Sequence, residues 1–303
     1  MRDGITLVTA FFPIGREQWS GYSRSDQKYF AYFKHWAAIH NDLIVYTTES
    51  HADMVRKIRQ ELGRENTVVR TVNEIASIDT EIYDLMHKVG RQYPPFSLFP
   101  KKPEVSNPDY DFLMYAKFWC LEQASKEAET SKLAWIDFGF DHGGEYYKDT
   151  TFFDFEWNYH RPQGKASLFQ MRDLPNDPVF DWIRRTESYI HGACFELDTN
   201  FASQFHADAR LQYEHLLRCG IIDDDQSILL MCHLAKPEDY CCLPLRTWFT
   251  MLEQYSDKNP DPGHPRLRPE FFHVKLSMQV KWVAKCLLYA GRQIKHLIRR
   301  YAF

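Results

Sequence analysis

The sequence predicts an α/β fold with a Rossmann-like sheet. Strand-like apolar runs alternate with amphipathic helical stretches through the first part of its 303 residues. Hydrophobic residues make up 44% and aromatic residues 16% of the chain, enough to bury one large domain or two smaller ones. At residues 132–144, an apolar strand runs directly into carboxylates and paired glycines. In an open α/β sheet, that edge is where ligands bind.

The first elements follow the order strand, helix, strand, helix, strand. Apolar runs rich in Val, Ile and Thr predict strands at 5–12, 43–46 and 67–72. Amphipathic spacing predicts helices at 25–40 and 52–62 between them. This βαβαβ order is typical of the first half of a nucleotide-binding sheet.

The remaining elements are less regularly spaced. Residues 93–109 carry five of the 15 prolines and show no usable period, which predicts a long loop or lid. A helix at 112–128 leads into a buried strand at 133–136. The later elements are a strand at 166–170, a strand or turn at 191–198, and helices at 178–187, 207–219 and 223–234.

Charge and cysteine content exclude several classes of protein. The formal net charge of −4 gives no reason to expect nucleic-acid binding, which usually shows a basic excess. Seven cysteines, an odd number with no C-x-x-C pair, suit a reducing cytoplasm rather than a disulfide framework or a zinc site. The short apolar N-terminal run has no basic start or cleavage site, so neither a signal peptide nor a membrane span is predicted.

The segment after the strand at 133–136 carries the first candidate site. Asp137, Asp141 and His142 would project from the carboxyl end of the strand, where their oxygen and nitrogen atoms suit Mg²⁺ or Mn²⁺ on a diphosphate. The alternative interpretation of the same pattern is a capped loop after a core strand. The Asp-Phe-Gly triplet at 137–139 does not indicate a kinase, because the other kinase motifs are missing from the sequence.

A second acidic site is predicted at residues 223–226, where the sequence reads DDDQ at a helix start. Asp223 and Gln226 have the spacing of a capping box. Asp224 and Asp225 are then surplus acids, and adjacent carboxylates repel one another. The alternative is a solvated helix start.

The C-terminal segment, 271–303, predicts a basic amphipathic helix that follows a catalytic domain at 1–270. It contains seven Lys or Arg residues and no Asp or Glu. Its apolar face would carry Val280, Val283, Leu287, Ala290, Ile294, Leu297, Ile298 and Tyr301, and its basic face Lys281, Lys285, Arg292, Lys295 and Arg299. Opposed apolar and basic faces are typical of a helix that lies in a membrane interface. The alternative is a helix that packs on its own domain with a basic outer face.

Six separated blocks of the sequence resemble the bacterial HtrL/YibB-like family. The blocks are VTAFFPIGREQW at 8–19, RSDQKYFAYFKHWA at 24–37, NDLIVYTTE at 41–49, NPDYDFLMYAKFW at 107–119, AWIDFGFDHGG at 134–144 and GIIDDDQSILLM at 220–231. The family occurs among lipopolysaccharide and surface-polysaccharide genes. Its members are regarded as glycosyltransferases with a GT-A-like nucleotide-diphospho-sugar transferase fold, a Rossmann-like mixed sheet.

The resemblance implies roles for the candidate residues. Asp137 becomes the main ligand for a divalent ion, with Asp141 or His142 as helpers, because related sequences often carry Asn at the position of Asp141. Arg16, Arg24 and Lys117 lie in matching blocks as possible phosphate-binding cations, with a surface salt bridge as the alternative for each. Asp224 or Asp225 would be the general base of an inverting transfer, whereas a retaining mechanism would need no such base.

The function implied is the metal-dependent transfer of a hexose onto a lipid-linked glycan or a lipopolysaccharide or O-antigen precursor. Galactose from UDP-galactose is the donor that the family association favours, with Mn²⁺ or Mg²⁺ as cofactor. We expect a cytoplasmic enzyme, bound peripherally to the inner face of the cytoplasmic membrane. The alternatives are a non-catalytic carbohydrate- or lipid-binding protein of the same fold, and a phosphoesterase with two metal ions.

Overall fold

A seven-stranded mixed sheet forms the centre of the protein, for which a computed structural model describes residues 1–158, 165–245, 249–254 and 276–301. The strands are β1 (Arg2–Phe11), β2 (Leu43–Thr47), β3 (Thr67–Thr71), β4 (Thr130–Ile136), β5 (Ala166–Gln170), β6 (Ile190–Asp198) and β7 (Tyr240–Pro244). Their order is β3-β2-β1-β4-β6-β5-β7. Neighbouring strands are parallel except at β6, which is antiparallel to both β4 and β5. The structure therefore confirms the α/β, GT-A-like fold class with a Rossmann-like mixed sheet.

Helices lie on both faces of this sheet. The described helices are α1 (Asp26–Trp36), α2 (Glu49–Glu61), α3 (Thr80–Gln92), α4 (Pro108–Ser125), α5 (Val179–Arg185), α6 (Ala202–Arg218), α7 (Asp225–Ala235) and α8 (Leu276–Tyr301). Local chemistry fixes several helix starts: Ser25 caps α1, and Asn107 caps α4 just before a proline in its first turn. Helix α3 was not predicted, although Asp79 caps it through a hydrogen bond from Ile82 N.

Side-chain alternation along the strands divides the interior into two apolar cores. In β4, Leu133 and Trp135 belong to one core, and Ala134 and Ile136 belong to the other. The first core also contains residues of α3, α4, α6 and α7, and the second contains residues of α1 and α2. Both faces of the sheet are therefore covered.

Helix α4 is the element that places the candidate site. It contacts α3, α6, β1 and β4, and it buries apolar residues around most of its circumference. A helix that is apolar on most sides is held as a core element. A polar side chain on this helix can therefore be buried, as Lys117 is.

The C-terminal helix α8 follows a stretch, 255–275, that lies outside the described residues, and the predicted domain boundary at 270 falls in that stretch. Several apolar side chains of α8, including Leu287, Leu288 and Ile294, are exposed. None of the described helices is long and apolar enough to cross a bilayer.

Candidate active site

A cleft of about 380 Å³ opens at the carboxyl ends of β1 and β4, next to the start of the antiparallel strand β6. This is the edge of an α/β sheet where ligands bind. The structure places every candidate site residue of the sequence in the lining of this one cleft: Arg16, Arg24, Lys117, Asp137, Asp141, His142, Asp224 and Asp225.

Lys117 forms the floor of the cleft. Its side chain is 3% exposed, and its Nζ lies 2.9 Å from Asp137 Oδ1 and 2.6 Å from Asp225 Oδ2. Nζ also donates a hydrogen bond of 3.1 Å to the Gly192 carbonyl oxygen. Burial lowers the pKa of the Lys117 ammonium, but the charges of Asp137 and Asp225 outweigh burial and raise that pKa above its ordinary value. Lys117 is therefore a buried cation held between two carboxylates.

Gly192 allows Asp225 to reach this position. A Cβ atom on residue 192 would lie 2.5 Å from Asp225 Oδ2 and 2.7 Å from Oδ1, closer than any normal contact. Burial raises the pKa of Asp225, and the neighbouring charge of Lys117 opposes that rise. The glycine is required here because a carboxylate occupies the space of a side chain.

Asp137 lies at the end of β4 with its side chain 32% exposed. Its backbone N–H donates to the Ala193 carbonyl at 2.8 Å, and its Oδ1 accepts from Trp135 Nε1 at 2.7 Å. In the described part of the chain, its second oxygen has no hydrogen-bond partner. Asp137 is thus fixed by one oxygen and can present the other to a ligand.

Asp141 and His142 differ in their hydrogen-bond partners. The Asp141 carboxylate is fully buried and accepts hydrogen bonds from Tyr146 N at 2.7 Å and Tyr147 N at 2.9 Å. It therefore holds the turn after β4 together. His142 Nδ1 lies 2.7 Å from Glu145 Oε2, and its Nε2 lies 3.3 Å from Arg24 Nη1.

Arg16 and Arg24 are the cations at the side of the cleft formed by the loop after β1. Arg16 donates to the Tyr29 hydroxyl at 2.7 Å and stacks near Trp19 and Tyr110. Neither guanidinium forms an ion pair with a carboxylate among the residues that the structure describes. The salt-bridge alternative is thus not observed, and both charges are available to an anionic ligand.

Among the carboxylates that line the cleft, Asp137 is one that could contribute an oxygen ligand to a divalent ion. Within the described ranges, no group of three or more His, Cys, Asp or Glu side chains is arranged to hold a metal ion. Mg²⁺ sites of nucleotide enzymes use one or two carboxylates, with phosphate oxygens and water completing the shell. Asp137 supplies one such carboxylate.

Sequence comparison places the chain in a family. A family model with the description "Bacterial protein of unknown function (HtrL_YibB)" matches residues 3–256. The chain belongs to the HtrL/YibB family. It is 27% identical over 257 residues to Protein HtrL of Escherichia coli (strain K12), a match that covers 78% of this chain and 87% of that protein.

Solved structures with a similar arrangement were also found for this HtrL/YibB family member. The apo form of mouse xyloside xylosyltransferase 1 matches with a TM-score of 0.43 and 12% identity, over 83% of this chain and 91% of that chain. The glycosyltransferase GlyE of Streptococcus pneumoniae TIGR4 matches with a TM-score of 0.41 and 11% identity, over 80% of this chain and 45% of that chain.

The helix cap predicted at residue 223 is wrong. Helix α7 begins at Asp225, and its N-cap is Asp224, whose Oδ1 accepts from Gln226 N at 3.1 Å. The backbone of Asp224 is extended, so the helix starts one residue later than the DDDQ spacing predicted. Burial raises the pKa of Asp223 to about 7, and hydrogen bonds from Ser227 and the Asp224 N–H oppose the rise.

Two acidic residues of the site were not predicted from the sequence. Glu104, from the loop before α4, lines the cleft, and Asp111 on α4 is fully buried behind it. Neither oxygen of Asp111 has a hydrogen-bond partner in the described structure. Burial, and then the charges of Asp223 and Asp224, raise the pKa of Asp111 well above its ordinary value, which favours the uncharged form of this carboxyl group.

One sequence signal could have identified the face of α4 that lines the cleft. Tyr110, Leu113, Met114 and Lys117 recur at helical spacing and all line the cleft. Asp111 lies outside this row, and the sequence carries no signal for its burial.

We expect Gly192→Ala to destabilise the protein by about 1–3 kcal/mol, because its methyl group overlaps the Asp225 carboxylate and the buried groups around it must shift. Urea denaturation would measure the loss. Gly291→Ala on α8 is the matched control, because no atom lies within 4 Å of its added Cβ. Equal stabilities of the two variants would show that Asp225 is not packed against residue 192.

Proposed function

We propose that the protein is a glycosyltransferase that moves a hexose from a nucleotide sugar onto a lipid-linked glycan or lipopolysaccharide precursor. UDP-galactose is the proposed donor, following the family association. The observation that carries the proposal is the Lys117 centre, which presents Asp137 and Asp225 to one cleft. Two carboxylates in unlike surroundings can take different roles in one reaction.

The donor half of the reaction would use Asp137 and the two arginines. Arg16 and Arg24 carry charges without a carboxylate partner in the described ranges, and guanidinium groups bind phosphate oxygens well. Asp137 would hold Mn²⁺ or Mg²⁺ against the diphosphate, and the ion would neutralise charge on the leaving group. His142, 3.3 Å from Arg24, would help to orient that arginine. Asp141 would contribute indirectly, because its hydrogen bonds fix the turn after β4 that carries His142.

The acceptor half would use Asp225 as the general base. In an inverting transfer, the acceptor oxygen bonds to the anomeric carbon as the bond to the diphosphate breaks, and the acceptor proton moves to a carboxylate. Lys117 stabilises the charged form of Asp225. In contrast, burial and the charges of Asp223 and Asp225 raise the pKa of Asp224 well above its ordinary value, and one of its oxygens caps α7. Of the two candidates, Asp225 is the better base.

The membrane part of the proposal rests on α8. Its exposed apolar side chains, such as Leu287 and Ile294, would enter the interface, while Arg292 and Lys295 would meet anionic head groups. A peripheral position on the inner face of the cytoplasmic membrane would bring the cleft to a lipid-linked acceptor.

We expect Asp137→Ala to weaken the binding of UDP with Mn²⁺ by at least about 100-fold, because the proposed metal ligand is lost. The fold should persist, since Lys117 keeps its contact with Asp225 and the Asp137 side chain lies at a partly exposed strand end. Isothermal titration calorimetry measures the affinity. Asp53→Ala, an exposed carboxylate on α2, is the control. A folded Asp137→Ala protein with wild-type affinity would refute the metal role.

We expect Asp225→Asn to lower kcat by at least about 100-fold with little change in donor affinity, because the variant cannot accept the acceptor proton. Asp224→Asn should stay within about tenfold of wild type, because Asn can also cap a helix. Steady-state transfer from UDP-galactose to a lipid-linked glycan tests both. Near wild-type rates for Asp225→Asn, or a larger loss for Asp224→Asn, would reject Asp225 as the base.

A further inference from the structure

An exposed aromatic patch lies on the domain that carries the cleft, and the proposed reaction does not use it. The patch consists of Tyr93, Phe96 and Phe180, which are 52%, 41% and 45% exposed. The rings of Phe96 and Phe180 are 6.1 Å apart in an edge-to-face arrangement. With Pro94 and Ile221 they line a shallow groove of about 430 Å³. A contiguous exposed apolar patch is a feature of interaction surfaces.

The chain segment that carries Tyr93 and Phe96 is basic. Residues 85–103 contain four Lys or Arg residues (88, 91, 101 and 102) and no Asp or Glu. The C-terminal segment 271–303 has the same character, with seven cations and no acid. On the α5 side of the patch, Asp177 is paired with Arg185 at 2.6 Å, and Asp181 is an exposed acid.

Arg184 connects the patch to α8. Its guanidinium carbon lies 5.9 Å from the ring centre of Phe96 and 5.2 Å from that of Tyr289 on α8. The two acid-free segments therefore meet at one arginine, which stacks on an aromatic ring from each of them. The patch therefore lies beside α8, next to the side of that helix that carries Tyr289.

The same loop connects the patch to the cleft. Leu98 N donates to the Arg184 carbonyl at 2.7 Å, and the hydroxyls of Ser97 and Thr186 lie 2.6 Å apart. Thr186 lines the cleft, as does Lys102 further along the loop. The patch thus lies beside the mouth of the cleft.

We propose that Tyr93, Phe96 and Phe180 form a second membrane contact, which inserts into an anionic bilayer beside α8 and turns the cleft toward it. Aromatic rings with nearby cations suit the head-group region, where rings bury apolar area and cations meet anionic lipids. A protein partner would need acidic side chains at matching positions to pair with these cations. An anionic bilayer carries negatively charged head groups over its whole surface. The inference rests on the proposed peripheral membrane location, but not on catalysis.

Vesicle co-sedimentation of the full-length protein tests the inference, with vesicles of phosphatidylcholine alone and mixed equally with phosphatidylglycerol. We expect Phe96→Ser/Phe180→Ser to lower the partition coefficient on the anionic vesicles by about tenfold or more, because two aromatic side chains no longer bury apolar area. Met54→Ser/Leu211→Ser, which replaces residues of 48% and 47% exposure on α2 and α6, is the matched control and should bind like wild type. Leu287→Ser/Ile294→Ser reports the contribution of α8.

The outcomes separate the two proposals. Wild-type binding by the Phe96→Ser/Phe180→Ser variant, with loss only in the α8 variant, would overturn the second contact and leave the α8 contact standing. Absence of binding by the wild-type protein would overturn both membrane contacts, while the calorimetric donor titration would still decide the enzymatic proposal. A lipid-free wild-type dimer that the aromatic substitutions dissociate, with vesicle binding unchanged, would assign the patch to a second copy of the chain and overturn the inference.

Discussion

The buried ammonium of Lys117 is the constraint on which the candidate site depends. A charge removed from water costs several kcal/mol unless it is paired and hydrogen-bonded, and Lys117 meets that condition with two carboxylates and one carbonyl oxygen. These partners come from the end of β4, the start of α7 and the strand β6. Three elements that are distant in sequence must therefore meet α4 at one point.

The same interaction separates the roles of the two carboxylates. Asp137 sits at a partly exposed strand end with one oxygen free of hydrogen bonds in the described structure, which suits a ligand for a diphosphate-bound ion. Asp225 is buried against Gly192, where Lys117 favours its charged form. Burial raises the pKa values of the surrounding acids, Asp111 and Asp224, which favours their uncharged forms. Among the described residues, Asp137 and Asp225 are the carboxylates that contact the Lys117 ammonium group.

Much of the fold could be predicted, because buried strands have a clear signature. The predicted strands at 43–46, 67–72 and 166–170 match β2, β3 and β5 closely, and the apolar run before Asp137 is part of β4. Each candidate site residue was predicted separately from its own motif. Which of these residues contact one another depends on the strand order and on the placement of the helices. The sequence placed Lys117 among possible phosphate-binding cations. Only the fold shows that this side chain is buried between Asp137 and Asp225.

The unfolding free energy of Lys117→Met at two pH values tests the Lys117 interaction most directly. Without the ammonium, Asp225 is buried unpaired and its folded-state pKa rises, so the native state binds a proton that the unfolded state has released, and stability falls as pH rises. We expect a cost of about 3–5 kcal/mol at pH 8, a smaller cost at pH 5, and recovery at pH 8 when Asp225→Asn is added. A cost below about 1 kcal/mol, or one equal at both pH values, would contradict the account.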